Sequence, residues 1–146
     1  MTELNGVPLI FDEMITGFRV GVGGIRELYN IDPDIVTLGK IIGGGLPIGV
    51  IVGENEILNS ELNDIVYGGT FTGNPLSCGV ASHILTYLNN WSHSIYSDLY
   101  DDTLTIVNEL EQSLKDYPVQ IMKCHSFFRI VFTKIAISER RDREDF

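Results

Sequence analysis

The sequence predicts an α/β fold, in which short apolar strands alternate with helices and glycine-rich loops. Two observations lead to this fold class: short apolar runs bounded by turn residues, and longer segments whose apolar residues recur at helical spacing. The predicted strands are residues 7–11, 35–38, 48–52 and 127–133. The predicted helical segments are residues 25–29, 55–62, 75–88 and 97–116.

The first strands are predicted from apolar runs that lead into polar or glycine-rich sequence. Residues 7–11 run directly into Asp12 and Glu13, and the run at 35–38 is followed closely by Lys40 and then by three glycines. Open α/β sheets bind ligands at the carboxyl ends of their strands. Asp12 and Lys40 are therefore candidate functional residues.

The long helices are predicted from capping and periodicity. Asn74 and Pro75 form a helix start, because Asn is a favoured N-cap and Pro suits the first helical position. Helix 97–116 has an apolar face at spacings of three and four, and acids in its first turn, where the helix dipole favours negative charge. The face comprises Leu99, Thr103, Ile106, Val107, Leu110 and Leu114, and the acids are Asp98, Asp101 and Asp102. Glycine-rich loops give way to this helix at 89–91, which predicts two regions, 1–90 and 91–146.

Composition and charge exclude several classes of protein. The 146 residues include 20 acids and 10 bases, and the net charge of −10 would repel nucleic acid and anionic membranes. No apolar run approaches the ~20 residues needed to span a bilayer, and the first residues lack the basic cluster of a secretory signal. Cys78 and Cys124 have no CxxC partner, which favours two reduced thiols and a cytoplasmic location. His83, His93 and His125 lack metal-ligand spacing, so no metal site is predicted.

Asp12, Lys40 and Thr70 are the strongest candidates for chemistry, although each has an ordinary explanation when taken alone. An acid or a lysine after a strand is often a cap or a solvated residue, and a threonine in a glycine loop often binds its own backbone. The glycines at 43–45 follow Lys40, whereas the lysine of a phosphate-binding loop comes after the glycines. Residues 21–24 lack the third glycine of the dinucleotide fingerprint. A doubly wound nucleotide-binding domain is therefore disfavoured.

Three segments surround these candidates. They are residues 9–19 (LIFDEMITGFR), 34–49 (DIVTLGKIIGGGLPIG) and 68–76 (GGTFTGNPL). Their sequences resemble the class III, pyridoxal-phosphate-dependent aminotransferases, and so does their spacing, with 28 residues from Asp12 to Lys40 and 30 more to Thr70. Ile15 favours the branch that resembles glutamate-1-semialdehyde 2,1-aminomutase. A weaker resemblance continues to residues 140–143.

The resemblance implies a role for each residue at the cofactor ring. It implies that Lys40 forms a Schiff base with pyridoxal 5′-phosphate and then moves a proton between substrate and cofactor. An ordinary lysine amine is protonated at neutral pH. The implied role therefore requires that burial, or the Schiff base with the cofactor, keeps the amine unprotonated. The apolar residues that flank Lys40 predict burial. Asp12 is implied to pair with the pyridine nitrogen and keep it protonated, which makes the ring an electron sink. Met14, on the same side of an extended chain as Asp12, is implied to pack against the ring.

The resemblance also implies a phosphate site and an assembly. Thr70 binds the cofactor phosphate across a dimer interface in the family, and Gly69 lets the loop backbone approach it. The implied fold is part of the large domain of the fold type I transferases, which resemble aspartate aminotransferase. Its mixed sheet is incomplete and flanked by helices, and the start of the small C-terminal domain follows it.

Only eleven residues precede Asp12, whereas the family's phosphate-cradling glycine loop lies before that position, so we expect a fragment. Two hypotheses follow. The chain is an enzyme domain that acts on a small-molecule amino donor and acceptor, as a homodimer or with a complementary chain. Alternatively, it is an inactive remnant that only associates with a related subunit. The matched residues are shared by transaminases and aminomutases and do not separate them.

Overall fold

A computed structural model describes residues 5–62 and 68–134, together with Ile137. The chain divides into two compact units, Met1–His93 and Ser94–Phe146. The weak resemblance at residues 140–143, and residue 67 at the start of the glycine loop, lie outside the described residues.

The first unit contains a mixed sheet of three strands in the order β1-β2-β3. The strands are β1 (Ile10–Asp12), β2 (Ile35–Gly39) and β3 (Gly49–Gly53). β1 runs parallel to β2, and β2 runs antiparallel to β3. The predicted strands are therefore confirmed, although β1 is shorter than predicted. Pro8 has no N–H to donate to a ladder, and the Leu9 N–H binds the Asp34 carboxylate at 2.6 Å rather than a strand carbonyl.

Short helices lie before β2 and after β3, as the sequence predicts. Helix α1 (Gly24–Leu28) precedes β2, and helix α2 (Asn55–Leu62) follows β3. A 3-10 turn over Lys40–Gly43 leaves β2 and brings Ile42 into the core, where it is 2% exposed. This turn fixes the direction in which the chain leaves the end of β2.

Helix α3 (Pro75–Ser113) is a single helix of 39 residues. Its predicted N-cap is confirmed, because Asn74 Oδ1 accepts the N–H groups of Leu76 at 3.0 Å and Ser77 at 3.2 Å. The predicted interruption between helices 75–88 and 97–116 is wrong. Asn and Trp cost a helix only about 0.7 kcal/mol or less each, and the sequence from 80 to 113 has neither the glycine nor the proline that ends helices. The predicted first-turn acids consequently lie in mid-helix, far from either end of the helix dipole.

The glycine run after Lys40 packs against the first part of α3. Gly44 has a φ of +57°, and a Cβ there would lie 2.8 Å from Ile84 Cδ1 and 3.0 Å from Val80 Cγ1. Ala81 and Leu88 of the same helix are buried. Glycine at 44 therefore satisfies both the left-handed backbone and the close helix contact.

The second unit contains an antiparallel hairpin of β4 (Val119–Cys124) and β5 (Phe127–Phe132). β5 was predicted, whereas β4 was missed. The predicted apolar helix face is buried at Thr103 and Val107, but Leu99 and Ile106 remain exposed. The periodicity was therefore correct only for part of the predicted face.

None of the helices in the described part of the chain combines the length and apolar character that a bilayer crossing requires.

Candidate active site

Asp12 ends β1 and lies beside Thr37 of β2. The parallel register pairs these two residues, which places their side chains on one face of the sheet. Asp12 Oδ1 accepts two hydrogen bonds, from the Thr37 hydroxyl at 2.8 Å and from the Met14 N–H at 3.0 Å. No residue of the described ranges donates a hydrogen bond to Oδ2. The exposed carboxylate is thus held by one oxygen and offers the other to a ligand.

These contacts keep the carboxylate ionised. The pKa of Asp12 is lowered from its ordinary value of 3.8, chiefly by the hydrogen bond from the Met14 N–H. The Thr37 hydroxyl and the charge of Lys40 lower this pKa further, while partial desolvation opposes them. A carboxylate in this state accepts hydrogen bonds and donates none, so it selects a hydrogen-bond donor or a cation.

Lys40 follows the end of β2, at the same edge of the sheet as Asp12. Its backbone φ is +44°, in the left-handed region that residues other than glycine rarely adopt. Such conformations cost about 1–3 kcal/mol and cluster at functional sites. The side chain is exposed, so the expectation that flanking apolar residues bury it is wrong. Val36 and Ile42 point into the core, whereas the tight turn that begins at Lys40 directs the lysine outward.

Met14 lies against the backbone immediately before Lys40. A Cβ added to Gly39 would meet Met14 Cε at 2.6 Å and Sδ at 3.0 Å, so the end of the Met14 side chain lies directly against Gly39. Asp12, Met14 and Lys40 therefore come together at the carboxyl ends of the two parallel strands. Ligands bind at this edge in open α/β sheets.

Glu13 holds the loop that follows Asp12 through contacts with the start of α1 that the sequence does not predict. Its side chain is 1% exposed. The carboxylate accepts the N–H groups of Arg26 at 2.8 Å and Ile25 at 3.3 Å, and a short hydrogen bond from the Thr16 hydroxyl. Ile25 and Arg26 lie in the first turn of α1, where backbone N–H groups have no partner within the helix. Glu13 thus caps α1 from twelve residues away and closes the loop. The signal available in the sequence was the second acid of the pair that follows β1.

Gly69 and Thr70 lie in the glycine-rich loop just before α3. Both are exposed, and the Thr72 N–H binds the Gly69 carbonyl at 3.0 Å to form a turn just before α3. They line a cavity of about 610 Å³, together with the start of β3 and the first turn of α3. The lining of this cavity includes neither Asp12 nor Lys40. Gly49, which lines this cavity, pairs with Gly39 immediately before Lys40.

Residues 1–126 match the family described as aminotransferase class-III. The chain belongs to the class-III aminotransferase family. A relative from Methanococcus vannielii, named glutamate-1-semialdehyde 2,1-aminomutase, is 40% identical over 136 residues, which cover 90% of this chain and 31% of the relative. A protein of the same name from Wigglesworthia glossinidia brevipalpis is 46% identical over 131 residues, covering 87% of this chain and 30% of the relative.

A solved structure shares the fold of this class-III chain. An omega-transaminase from Sphaerobacter thermophilus superposes with a TM-score of 0.75 and 28% identity, over 92% of this chain and 32% of that one. The chain thus spans about a third of the length of the relatives it matches. These matches confirm the predicted family and the predicted α/β class, and they show that the chain holds part of that fold.

Proposed function

We propose that this chain supplies the catalytic lysine and the ring-binding carboxylate of a pyridoxal-phosphate-dependent enzyme that transfers amino groups. The reaction is a transamination between a small-molecule amino donor and acceptor, or an amino shift within one molecule, as the names of the relatives suggest. The observation that supports it best is the meeting of Asp12, Met14 and Lys40 at one sheet edge.

The ring-binding residues fit the cofactor. Asp12 would accept the protonated ring nitrogen on Oδ2, since Oδ1 is already engaged. Met14 would pack against the ring, because its thioether already fills the space above Gly39. When bound, the cofactor supplies an electron sink for a carbanion on the substrate.

Lys40 would act as the nucleophile that anchors the cofactor and as the base that moves a proton at the substrate carbon. Its place after β2 puts the amine within the field of Asp12. The turn over Lys40–Gly43 would hold the lysine backbone while its flexible side chain reaches the reacting atoms.

The phosphate site belongs to the same proposal. Gly69 and Thr70 would bind the phosphate through backbone N–H groups and a hydroxyl, beside the start of a long helix. As in the family that the sequence resembles, Thr70 would serve the site of a partner subunit. We therefore propose a dimer, or association with a complementary chain.

Two further parts of the proposal concern the domains of the chain and its location in the cell. Residues 1–90 are proposed as part of the large cofactor-binding domain, and residues 91–146 as the connecting helix and the start of the small domain. A cytoplasmic location is proposed because both cysteines are free thiols. The alternative of an inactive remnant is less favoured, since Asp12 and Lys40 are both retained and exposed at the sheet edge.

The proposal is tested by trapping the cofactor on its lysine. The full chain is mixed with pyridoxal 5′-phosphate, its absorbance is recorded, and the mixture is reduced with borohydride and mapped by peptide mass spectrometry. We expect the label on the peptide that contains Lys40, and its loss in Lys40→Ala. Lys115→Ala is the matched control, because Lys115 is exposed in the second unit.

Labelling that Lys40→Ala leaves unchanged would contradict the proposal, because an exposed amine anywhere on the chain reacts with an aldehyde. Labelling that depends on Lys40 and on Asp12, tested with Asp12→Ala, would support a formed site. Amino donors are then screened by the loss of the Lys40-dependent absorbance band.

A further inference from the structure

Thr37 makes two different contacts with the segment that carries Asp12. Its hydroxyl donates to Asp12 Oδ1 at 2.8 Å, and its carbonyl accepts the Glu13 N–H at 3.0 Å. The carbonyl contact continues the pairing of β1 with β2 past the last paired residue of β1. Only the hydroxyl contact depends on the identity of the side chain at position 37.

The neighbouring residues of β2 indicate that an apolar side chain would pack at position 37 as well as threonine does. Val36 is buried and Leu38 is half-buried, and both line a cavity on the other face of the sheet. Strand side chains alternate between faces, so Thr37 and Gly39 share the face of Asp12. A β-branched apolar residue would suit the strand equally well, since valine has the same shape and a strong strand preference.

The two donors to Oδ1 act together on the orientation of the carboxylate. The Met14 N–H comes from two residues along the same chain, while the Thr37 hydroxyl comes from the neighbouring strand. A single hydrogen bond leaves a carboxylate free to rotate about it, whereas two donors on one oxygen from different directions restrict that rotation. The unengaged oxygen, Oδ2, then keeps one direction at the sheet edge.

We propose that Thr37 is a positioning residue for the cofactor ring: its hydroxyl fixes Asp12 Oδ1, so that Oδ2 is held ready to accept the N–H of a protonated pyridine ring. This inference rests on the proposed function, because it assigns Thr37 a task in that same site. Thr37 itself makes no contact with the cofactor in this arrangement. Its contribution is preorganisation, which reduces the ordering that ligand binding would otherwise require.

The test compares Thr37→Val with Thr37→Ser. Valine removes the hydroxyl and keeps the shape, and serine keeps the hydroxyl; both leave the carbonyl contact with Glu13 in place. Thr105→Val is the matched control, because the Thr105 hydroxyl donates only to the Asp101 carbonyl within α3, at 3.0 Å. Circular dichroism confirms that each full-length variant is folded.

The first readout is the pKa of Asp12, measured by carboxyl-carbon NMR in the absence of any cofactor. Thr37→Val is expected to raise this pKa, because one donor to the ionised form is lost. Thr37→Ser and Thr105→Val are expected to leave it at the wild-type value. An unchanged pKa in Thr37→Val, or the same rise in Thr37→Ser, would overturn the proposal.

The second readout is the affinity for pyridoxamine 5′-phosphate, which has no aldehyde and so binds without bonding to Lys40. Thr37→Val is expected to weaken binding roughly tenfold, the scale of one hydrogen bond to a charged group, and Thr37→Ser to restore it. A raised Asp12 pKa with unchanged affinity would overturn the positioning role. Failure of the wild-type chain to bind the probe would instead contradict the proposed function, while the NMR titration still decides whether Thr37 holds Asp12.

Discussion

Replacing Glu13 tests whether one buried carboxylate holds the loop behind the candidate site. The side chain is 1% exposed and accepts three hydrogen bonds, two of them from the first turn of α1. Oε1 takes the Arg26 N–H, and Oε2 takes the Ile25 N–H and the Thr16 hydroxyl. Because the two oxygens accept different hydrogen bonds, replacement by alanine and by glutamine should lower the free energy of unfolding by different amounts.

Glu13→Ala leaves two partly buried backbone N–H groups without an acceptor. Each such group costs about 1–3 kcal/mol, and water that enters the space recovers part of this. We expect a loss of about 2–4 kcal/mol in the free energy of unfolding. Glu13→Gln is expected to keep its carbonyl on the 2.8 Å bond to Arg26 and to lose the longer 3.3 Å bond to Ile25, at a cost of about 1 kcal/mol.

Urea denaturation and amide hydrogen exchange measure these effects together. In Glu13→Ala the exchange of the Arg26 and Ile25 amides is expected to accelerate about tenfold or more, whereas in Glu13→Gln only the Ile25 amide accelerates. Glu27→Gln is the matched control, because Glu27 is exposed and accepts one hydrogen bond from the Gly23 N–H. The reasoning is refuted if Glu13→Ala changes stability no more than the control does and both amides remain protected.

Three further predictions concern a cap, a close contact and a titration. Asn74→Ala is expected to lower the unfolding free energy by about 1 kcal/mol in urea denaturation, because two N–H groups lose their acceptor; an unchanged midpoint would refute the cap's contribution. Gly39→Ala is expected to displace the flexible end of Met14 and to crowd the Ile48 carbonyl oxygen, since the new Cβ falls 2.6 Å from Met14 Cε and 3.0 Å from that oxygen, at a cost of about 1 kcal/mol; thermal denaturation checks the cost, and an unshifted melting temperature contradicts it. The lowered pKa of Asp12 means that its contribution to stability is complete above pH 3.8 and is lost as the pH falls through the lowered value. Melts of wild type and Asp12→Asn below pH 3.8 check this, and equal acid sensitivity of the two would refute it.

Local signals in the sequence were sufficient for most of the elements. Three strands of the mixed sheet, α1, α2 and the start of α3 follow from apolar runs, turn residues and one N-cap. The predicted break in α3 failed for a local reason as well. Helices end at residues that remove hydrogen bonds or strain the backbone, and the asparagines at 89 and 90 do neither strongly, so the helix continues through them.

The sequence singled out only those candidate site residues that stand in family-like segments. Asp12, Lys40, Met14 and Thr70 stand in segments that resemble a family, and the match over residues 1–126 confirms that family. Thr37 and Glu13 carried no comparable signal. The importance of each comes from a partner that lies 12–25 residues away along the chain.

The sequence by itself determined the family and most of the elements, and it singled out the candidate site residues, because these depend on residue types and on spacing along one chain. Only the tertiary structure decided which of these residues meet. The parallel register of β1 and β2 places Thr37 against Asp12, and the turn at Lys40 directs the lysine outward instead of into the core. Strand register and turn geometry arise from contacts between distant segments, and sequence spacing does not encode them directly.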